Sequence, residues 1–338
     1  MNINPEWEEV LDQLNFLELG GDLGSVDQIC IDTLHGSMFG LNYRYTTLEE
    51  VFKTHKQDLL KYSIQRIKEL TKENNFQFKK RAISRCQVGF GTFGWKYDSK
   101  LIETAITCGV SLIDTAEGYG YGKVETILGG ILSGQENPPS IYTKVRRDHM
   151  SPKALPEAVK RSVQKLHAIP FEQLHFPHDK FSDSAIKILS NLQCLGKIKG
   201  LGLGNCSIDM IEQSQRILTE YNGTPLTSIQ ISFSLLNQRA TNTIIPYCQE
   251  RGILILAYSP LGQDFKKLQT PFLKKIAKKY SATESQIALS WILSFHGVVP
   301  IPATNNIEHL KQNIKSNDLK LDADDVLKLS NYYKNLYI

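Results

Sequence analysis

Hydrophobic and polar positions follow two different patterns, and the change falls near residue 86. Before it, apolar residues recur at helical spacing between about 47 and 73. After it, short apolar runs alternate with stretches of helical periodicity. The strands predicted from the runs cover residues 86–91, 111–114, 139–144, 171–175, 199–203, 227–231, 253–257 and 298–301. The predicted helices cover residues 98–108, 123–133, 153–166, 183–194, 207–220, 241–251, 268–295 in two pieces, and 322–334.

Eight strands, each followed by a helix, predict a closed (β/α)8 TIM barrel of about 250 residues. The structural alternative is an open, doubly wound sheet, whose usual mark is GxGxxG after the first strand. Residues 89–94 match that lettering, but Trp-Lys-Tyr follows it, and we interpret the match as a coincidence. We therefore predict two parts, a partly helical N-terminal extension over 1–85 and the barrel over 86–338.

Composition and charge narrow the class of protein. The 338 residues are 41% hydrophobic and 22% charged, with a net charge of +4, which favours neither nucleic-acid nor membrane binding. The polar N-terminus lacks the features of a signal peptide, and no apolar run reaches about 18 residues. Six scattered cysteines form no CxxC pair, so we expect no metal site and a reduced, cytoplasmic protein.

Polar side chains follow several predicted strands at the point where each strand ends. Asp114 ends the second strand, Lys144 the third and His175 the fourth, and Tyr119 lies in the loop after the second. In a barrel these ends share one face, where active sites are built. Taken singly, the four residues could be a helix cap, a surface charge, a core histidine and loop packing. Together they predict one polar site at the mouth of the barrel.

The chain from residue 86 to about 330 resembles the aldo-keto reductase family. The similarity rests on an ordered set of short motifs, none of them decisive alone. These are Asp-Thr-Ala-Glu-x-Tyr-Gly at 114–120, Lys144, His175-Phe176-Pro177, Asn205, Gln230, Ala257-Tyr258-Ser259-Pro260-Leu261, Ile301-Pro302 and Gln312-Asn313-Ile314.

The resemblance implies an NAD(P)H-dependent reductase of an aldehyde or ketone, with Asp114, Tyr119, Lys144 and His175 as catalytic residues. Hydride arriving at a carbonyl carbon builds negative charge on its oxygen, so a proton donor is needed there. An ammonium beside the Tyr119 phenol favours the phenolate and lowers its pKa. A carboxylate keeps that ammonium charged and oriented, and a histidine donates a hydrogen bond to the same oxygen. No metal is required.

The resemblance also implies how the cofactor is held. Asn205 and Gln230 would bind the nicotinamide carboxamide, and Tyr258 would stack on its ring. The remaining predicted cofactor residues are Gly91 and Thr92 after the first strand, Ser259 and Leu261 at the pyrophosphate, and Thr304, Gln312 and Asn313 at the adenosine. This chain departs from the family at Gly204, Ala303 and His309, where members carry Ser, Lys and Arg. We favour NADP(H), with NAD(H) as the alternative.

The predicted substrate residues are Trp95, Tyr97, Tyr121 and Phe176, whose aromatic walls suit an apolar or planar carbonyl compound. The tail from Tyr332 either joins this wall or packs against the barrel. Two other functions stay open: a redox-neutral enzyme that retains its cofactor, and a non-catalytic, cofactor-binding interaction subunit. The extension over 1–85 is expected to pack on the barrel, to mediate a homo-oligomer or partner contact, or to be neutral.

Overall fold

A computed structural model describes residues 88–167, 171–175, 183–221 and 223–336 of the chain. The N-terminal extension and its predicted helix over 47–73 lie outside these residues. So do Phe176 and the residues beside it up to 182.

Eight strands lie in the described residues, in the predicted order. They are β1 (Phe90–Gly91), β2 (Leu112–Asp114), β3 (Ser140–Lys144), β4 (Phe171–His175), β5 (Gly202–Gly204), β6 (Ser228–Ser232), β7 (Leu254–Tyr258) and β8 (Val298–Pro300). All neighbouring strands pair in parallel, as two four-stranded sheets, β1–β4 and β5–β8. β4 lies beside β5, and a bridge between Gly91 and Ala303 joins the other two edges. The ring is therefore closed, as the predicted TIM barrel requires.

Of the predicted first strand, the described residues from 88 onward pair as a strand only at Phe90–Gly91, and the partner strand limits this pairing. Gly89 and Gly91 donate their backbone N–H groups to the carbonyls of Pro300 and Pro302 at 2.9 and 3.0 Å. Both prolines can accept these bonds, but neither has an N–H to donate back. The pairing between β1 and the last strand is therefore one-sided.

The helices form the outer layer of the barrel. They are α1 (Ser99–Thr107), α2 (Lys123–Leu132), α3 (Ala154–Lys165), α4 (Asp183–Cys194), α5 (Ile208–Glu220), α6 (Ile244–Glu250), α7 (Phe265–Leu268), α8 (Pro271–Lys279), α9 (Glu284–Leu293), α10 (Ile307–Lys315) and α11 (Ala323–Leu336). α7 and α10 were not predicted, although the Asn306 side chain caps α10 by accepting from the N–H groups of Glu308 and His309. None of these helices is long and apolar enough to cross a membrane.

Among the described residues, two apolar clusters hold the fold together. The larger lies between strands and helices, and it includes the fully buried Ile113, Ile141 and Trp291. The smaller lies inside the ring and contains Leu112, Tyr142, Leu256, Val299 and Ile301. This division follows from the strand period of two, since alternate residues of one strand point inward and outward. Inside the ring, the polar residues that end the strands lie above this apolar floor.

Helices α2 and α3 approach each other at a glycine. A Cβ built on Gly129 would lie 2.3 Å from the Lys165 carbonyl oxygen and 2.7 Å from Leu166 Cα. Only a residue without a side chain allows the two backbones to come this close. The contact holds α2 in place behind β3.

Candidate active site

The predicted acid and lysine meet at the ends of adjacent strands. Lys144 Nζ donates to Asp114 Oδ1 at 2.6 Å and to the Thr115 carbonyl at 2.5 Å. The Asp114 side chain is 6% exposed and the Lys144 side chain 18% exposed, so the ion pair is largely shielded from water. A shielded charge needs such a partner to remain charged. The carboxylate therefore fixes the direction of the ammonium.

Tyr119 lies beside this ion pair. Lys144 Nζ is 5.0 Å from the centroid of the Tyr119 ring. Burial raises the pKa of the Tyr119 phenol above its ordinary value, and the charge and hydrogen bond of Lys144 partly offset that rise. The predicted effect of the lysine is present, but the loss of solvation is larger. In this state of the protein the phenol keeps its proton at neutral pH.

The fourth predicted catalytic residue is described through its backbone. His175 ends β4, where it pairs in register with Lys144 of β3. Its side chain lies outside the described residues, as does the predicted substrate residue Phe176.

Gln230 contacts the Asp114 carboxylate, a contact that the sequence did not indicate. Its Nε2 donates to Asp114 Oδ1 at 2.7 Å, and the side chain is buried. The Oε1 atom accepts no hydrogen bond from the described residues. Gln230 therefore holds Asp114 with one end of its amide and offers an acceptor with the other.

Asn205 and Tyr258 form a second polar pair at the ends of β5 and β7. Tyr258 donates its hydroxyl proton to Asn205 Oδ1 at 2.8 Å, which leaves the Asn205 Nδ2 group as a donor. The backbone of Asn205 is left-handed, with φ of 51°, and its N–H donates to the Gln230 carbonyl at 2.7 Å. Asparagine tolerates this conformation better than most residues. The turn thus places an exposed amide beside Gln230 and Tyr258.

The other predicted cofactor residues are spread over three loops. After β1, Gly91 and Thr92 are buried, and the Thr92 hydroxyl donates to the Asp114 carbonyl at 2.9 Å, so it supports the acid instead of facing solvent. Half-buried Ser259 and Leu261 follow β7. In the segment after β8, the Thr304 hydroxyl accepts from the Asn306 N–H, Gln312 is exposed and Asn313 is buried.

The predicted substrate residues divide into exposed and buried side chains. Tyr97 is 41% and Tyr121 97% exposed, whereas Trp95 is only 5% exposed. Trp95 packs in the larger core, and its Nε1 donates to the Asp98 carbonyl at 3.3 Å. It therefore supports the loop after β1, and its role toward a substrate stays a prediction.

Phe93, which was not among the predicted substrate residues, lies exposed beside Tyr119. Its ring is 72% exposed and meets the Tyr119 ring edge-on, with 5.3 Å between the centroids. The available signal was an aromatic residue two positions beyond the end of β1. The C-terminal tail, by contrast, packs on the barrel: Tyr333 is buried, and Tyr332 stacks on Phe272 at 4.5 Å.

The known proteins that this chain resembles include oxidoreductases and an aldo-keto reductase. The chain is 29% identical to an uncharacterized oxidoreductase of Mycobacterium tuberculosis over 283 residues, 71% of this chain and 86% of the relative. It is 25% identical to a methylglyoxal reductase of Escherichia coli, over 74% of this chain and 92% of that protein. An aldo-keto reductase from Klebsiella pneumoniae, solved with NADPH, matches with a TM-score of 0.67 and 23% identity, over 73% of this chain and 90% of its own.

A match to one protein-family model covers most of the barrel. The model of the aldo/keto reductase family matches residues 87–334, which include every element from β1 to α10. Both the ordered motifs and the described architecture agree with that match. The chain belongs to the aldo/keto reductase family of oxidoreductases.

Proposed function

We propose that this protein reduces an aldehyde or ketone with NAD(P)H, and that Tyr119 donates the proton to the carbonyl oxygen. The observation that carries the proposal is the Lys144 ammonium, held by Asp114 at 2.6 Å and placed 5.0 Å from the Tyr119 ring centroid. This arrangement lies where the strands end, at the face on which barrel enzymes build their sites.

The polar groups around it suit a nicotinamide. A primary carboxamide offers two donor hydrogens and one acceptor oxygen. Gln230 Oε1 is available to accept, and Asn205 Nδ2 is available to donate because Tyr258 already occupies Asn205 Oδ1. The flat ring of Tyr258 would lie against one face of the nicotinamide. Asn205, Gln230 and Tyr258 would hold the reduced nicotinamide, which would supply the hydride for the carbonyl carbon.

The side chains of this chain then have separate tasks. Tyr119 gives its phenolic proton to the carbonyl oxygen as negative charge develops there. Lys144 stabilises the resulting phenolate, and Asp114 holds the Lys144 ammonium in place through their shielded ion pair. We assign His175 a hydrogen bond to the same oxygen because its strand ends beside Lys144.

We propose NADP(H) as the preferred cofactor, supported by the NADPH-bound relative of the same fold. Ala303 and His309 are exposed but supply no permanent cation for the 2′-phosphate, so the preference should be modest. Fluorescence titration with NADPH and NADH measures it directly. Tighter binding of NADH would overturn this part of the proposal.

The substrate class follows from the exposed rings at the mouth. Phe93 and Tyr97 offer aromatic surface beside the proton donor, which favours apolar or planar carbonyl compounds. Phe93→Ala should raise KM for benzaldehyde more than KM for methylglyoxal, because the small substrate gains less from the ring. Equal changes for the two would contradict this assignment.

Turnover is tested by NADPH absorbance at 340 nm with a panel of aldehydes and ketones. Wild type should consume NADPH, and Tyr119→Phe should lower kcat by about 10²–10⁴-fold, the usual contribution of a positioned acid. NADPH binding without consumption by any carbonyl would overturn the proposal. It would favour instead a redox-neutral enzyme with retained cofactor or a non-catalytic, cofactor-binding subunit.

Two further proposals concern the whole chain. The thiols of Cys108, Cys194, Cys206 and Cys248 are free, which supports the proposed cytoplasmic location. We also propose that residues 1–85 form a separate part that packs on the barrel. Deleting residues 1–80 should change kcat, KM or oligomer size. Unchanged values of all three would contradict a role at the mouth or in a partner contact.

A further inference from the structure

Glu117 is a buried carboxylate between Asp114 and Tyr119 that the proposed reaction does not use. Its side chain is 5% exposed. Oε1 accepts the Arg146 backbone N–H at 2.5 Å, and His149 Nδ1 lies 3.0 Å from each of the two carboxylate oxygens. Arg161 adds a cation 3.7 Å from Oε2. A carboxylate removed from water needs such donors, and here it has them.

The nearest two donors belong to the segment that directly follows Lys144. A backbone hydrogen bond joins the same two parts of the chain, since the Glu117 N–H donates to the Lys144 carbonyl at 3.1 Å. Thr115 N–H likewise donates to the Tyr142 carbonyl at 2.8 Å. Glu117 thus lies at the point where the loop that carries Tyr119 is attached to the strand that carries Lys144.

Beyond this point the Tyr119 ring packs against the core and against the Phe93 ring, while the backbone of the loop is held by local turns. Tyr119 N–H donates to the Ala116 carbonyl at 3.0 Å, within the same loop. The next two residues, Gly120 and Tyr121, have left-handed backbones with φ of 55° and 56°. A turn of this kind does not by itself fix the distance from Tyr119 to another strand. The contacts of Glu117 add a restraint that ties the loop to the strand of Lys144.

We propose that Glu117 is a positioning residue, which sets the place of the Tyr119 phenol relative to the Lys144 ammonium. The inference rests on the proposed function, in which those two groups act together. Since a carboxylate only accepts, His149 Nδ1 acts as the donor in its contact with Glu117. Arg161 is 44% exposed and more distant, so the Arg146 N–H and His149 are the main restraints.

The substitution Glu117→Gln tests this role. It keeps the size of the side chain and one acceptor, but turns an N–H toward either Arg146 N–H or His149 Nδ1–H. We expect kcat to fall on the order of 10²-fold, the usual cost of misplacing a reacting group by about 1 Å. Cofactor affinity should stay at the wild-type value, because Glu117 does not contact Asn205, Gln230 or Tyr258. Glu136→Gln, at an exposed position, is the matched control.

Titration of Tyr119 separates positioning from general support of the fold. Protein labelled with carbon-13 at tyrosine Cζ reports each phenol by NMR, and Tyr119→Phe assigns the signal. In Glu117→Gln, the pKa of Tyr119 should rise, because the phenol moves away from the Lys144 charge. An unchanged titration and unchanged kcat, or a lowered melting temperature alone, would overturn the proposal.

A second variant covers the case in which Glu117→Gln does not fold. His149→Ala removes one donor at a side chain that is 30% exposed, and it should shift the Tyr119 titration in the same direction by less. No shift in this variant would equally overturn the proposal. The titration needs no turnover. If wild type reduces no carbonyl, the proposed function fails, while the NMR result still decides whether Glu117 positions Tyr119.

Discussion

Gln230 Nε2 donates to Asp114 Oδ1 across 2.7 Å, and this bond joins the two sheets of the barrel. Gln230 lies on β6 of the second sheet, and Asp114 ends β2 of the first. The same Oδ1 accepts the Lys144 ammonium at 2.6 Å. The proposed cofactor-binding and proton-donating groups are therefore connected through one carboxylate oxygen.

Replacing Gln230 should affect both sets of groups. In Gln230→Leu, Asp114 loses a donor and the nicotinamide loses an acceptor. We expect Kd for NADPH to rise about tenfold, equivalent to about 1.4 kcal/mol for one hydrogen bond, and kcat to fall as well. Fluorescence titration measures Kd, with the exposed Gln135→Leu as control. Wild-type affinity in Gln230→Leu would remove it from the cofactor site.

The pH dependence of reduction should follow the phenol of Tyr119. Burial raises its pKa above the ordinary 10.0, so the acid stays protonated, and reduction stays independent of its ionisation, across the neutral range. Activity is lost only as pH rises through that pKa. Lys144→Met should move this limb of the kcat/KM profile upward and lower kcat about 10²-fold or more. Lys144→Arg, which keeps the charge, should leave the limb nearer to wild type.

One outcome would contradict the assignment of this pH dependence to Tyr119. If wild type lost activity at a pH below 10.0 and Lys144→Met left that limb in place, another group would control the profile.

The burial of Glu125 leads us to expect that the stability of the fold depends on pH, separately from catalysis. This fully buried residue of α2 accepts from the Thr143 hydroxyl at 2.7 Å, and burial raises the pKa of its carboxyl above 4.5. Its stabilising contribution is complete below the unfolded-state pKa and is lost as pH rises through the folded-state pKa. Glu125→Gln should therefore gain stability over wild type as pH increases. Urea unfolding at several pH values measures the difference; a constant difference would disprove the cause.

Two neighbouring glycines of α2 offer a matched pair. Gly129→Ala places a methyl group against the backbone of Lys165 and Leu166, and should cost about 1–3 kcal/mol of unfolding free energy. At Gly130, a Cβ meets no atom within 4 Å, so Gly130→Ala should stabilise the helix by about 0.5–1 kcal/mol. Urea unfolding of both variants tests the helix contact. Equal effects would show that α2 and α3 lie further apart.

Strand order and the meeting of Asp114 with Lys144 could be predicted because both depend on local patterns. A short apolar run followed by a polar residue predicts the end of a strand from neighbouring residues alone. The contact between Gln230 and Asp114 depends on ring closure instead, and no local pattern contains it.

The loop after β1 shows another limit of sequence. Phe93 and Trp95 are both aromatic, yet Phe93 faces solvent beside Tyr119 and Trp95 is buried. Gly94 and Tyr97 have φ of 72° and 66°, so the alternation of a strand no longer applies. Which ring faces the mouth is decided by these left-handed turns and by the Asn305 side chain, which binds Lys96 N–H and the Gly94 carbonyl at 2.9 Å each.

The two half-barrels meet at the bridge between Gly91 and Ala303 and at the bond between Asp114 and Gln230. Measured turnover would therefore show whether the two halves have assembled. A fragment that ends after β4 would contain Asp114, Tyr119 and Lys144. A fragment that begins at β5 would contain Asn205 and Gln230. Neither would be competent alone. Mixing the two pieces should restore reduction only if they reassociate, so enzyme complementation would measure how strongly the half-barrels recognise each other.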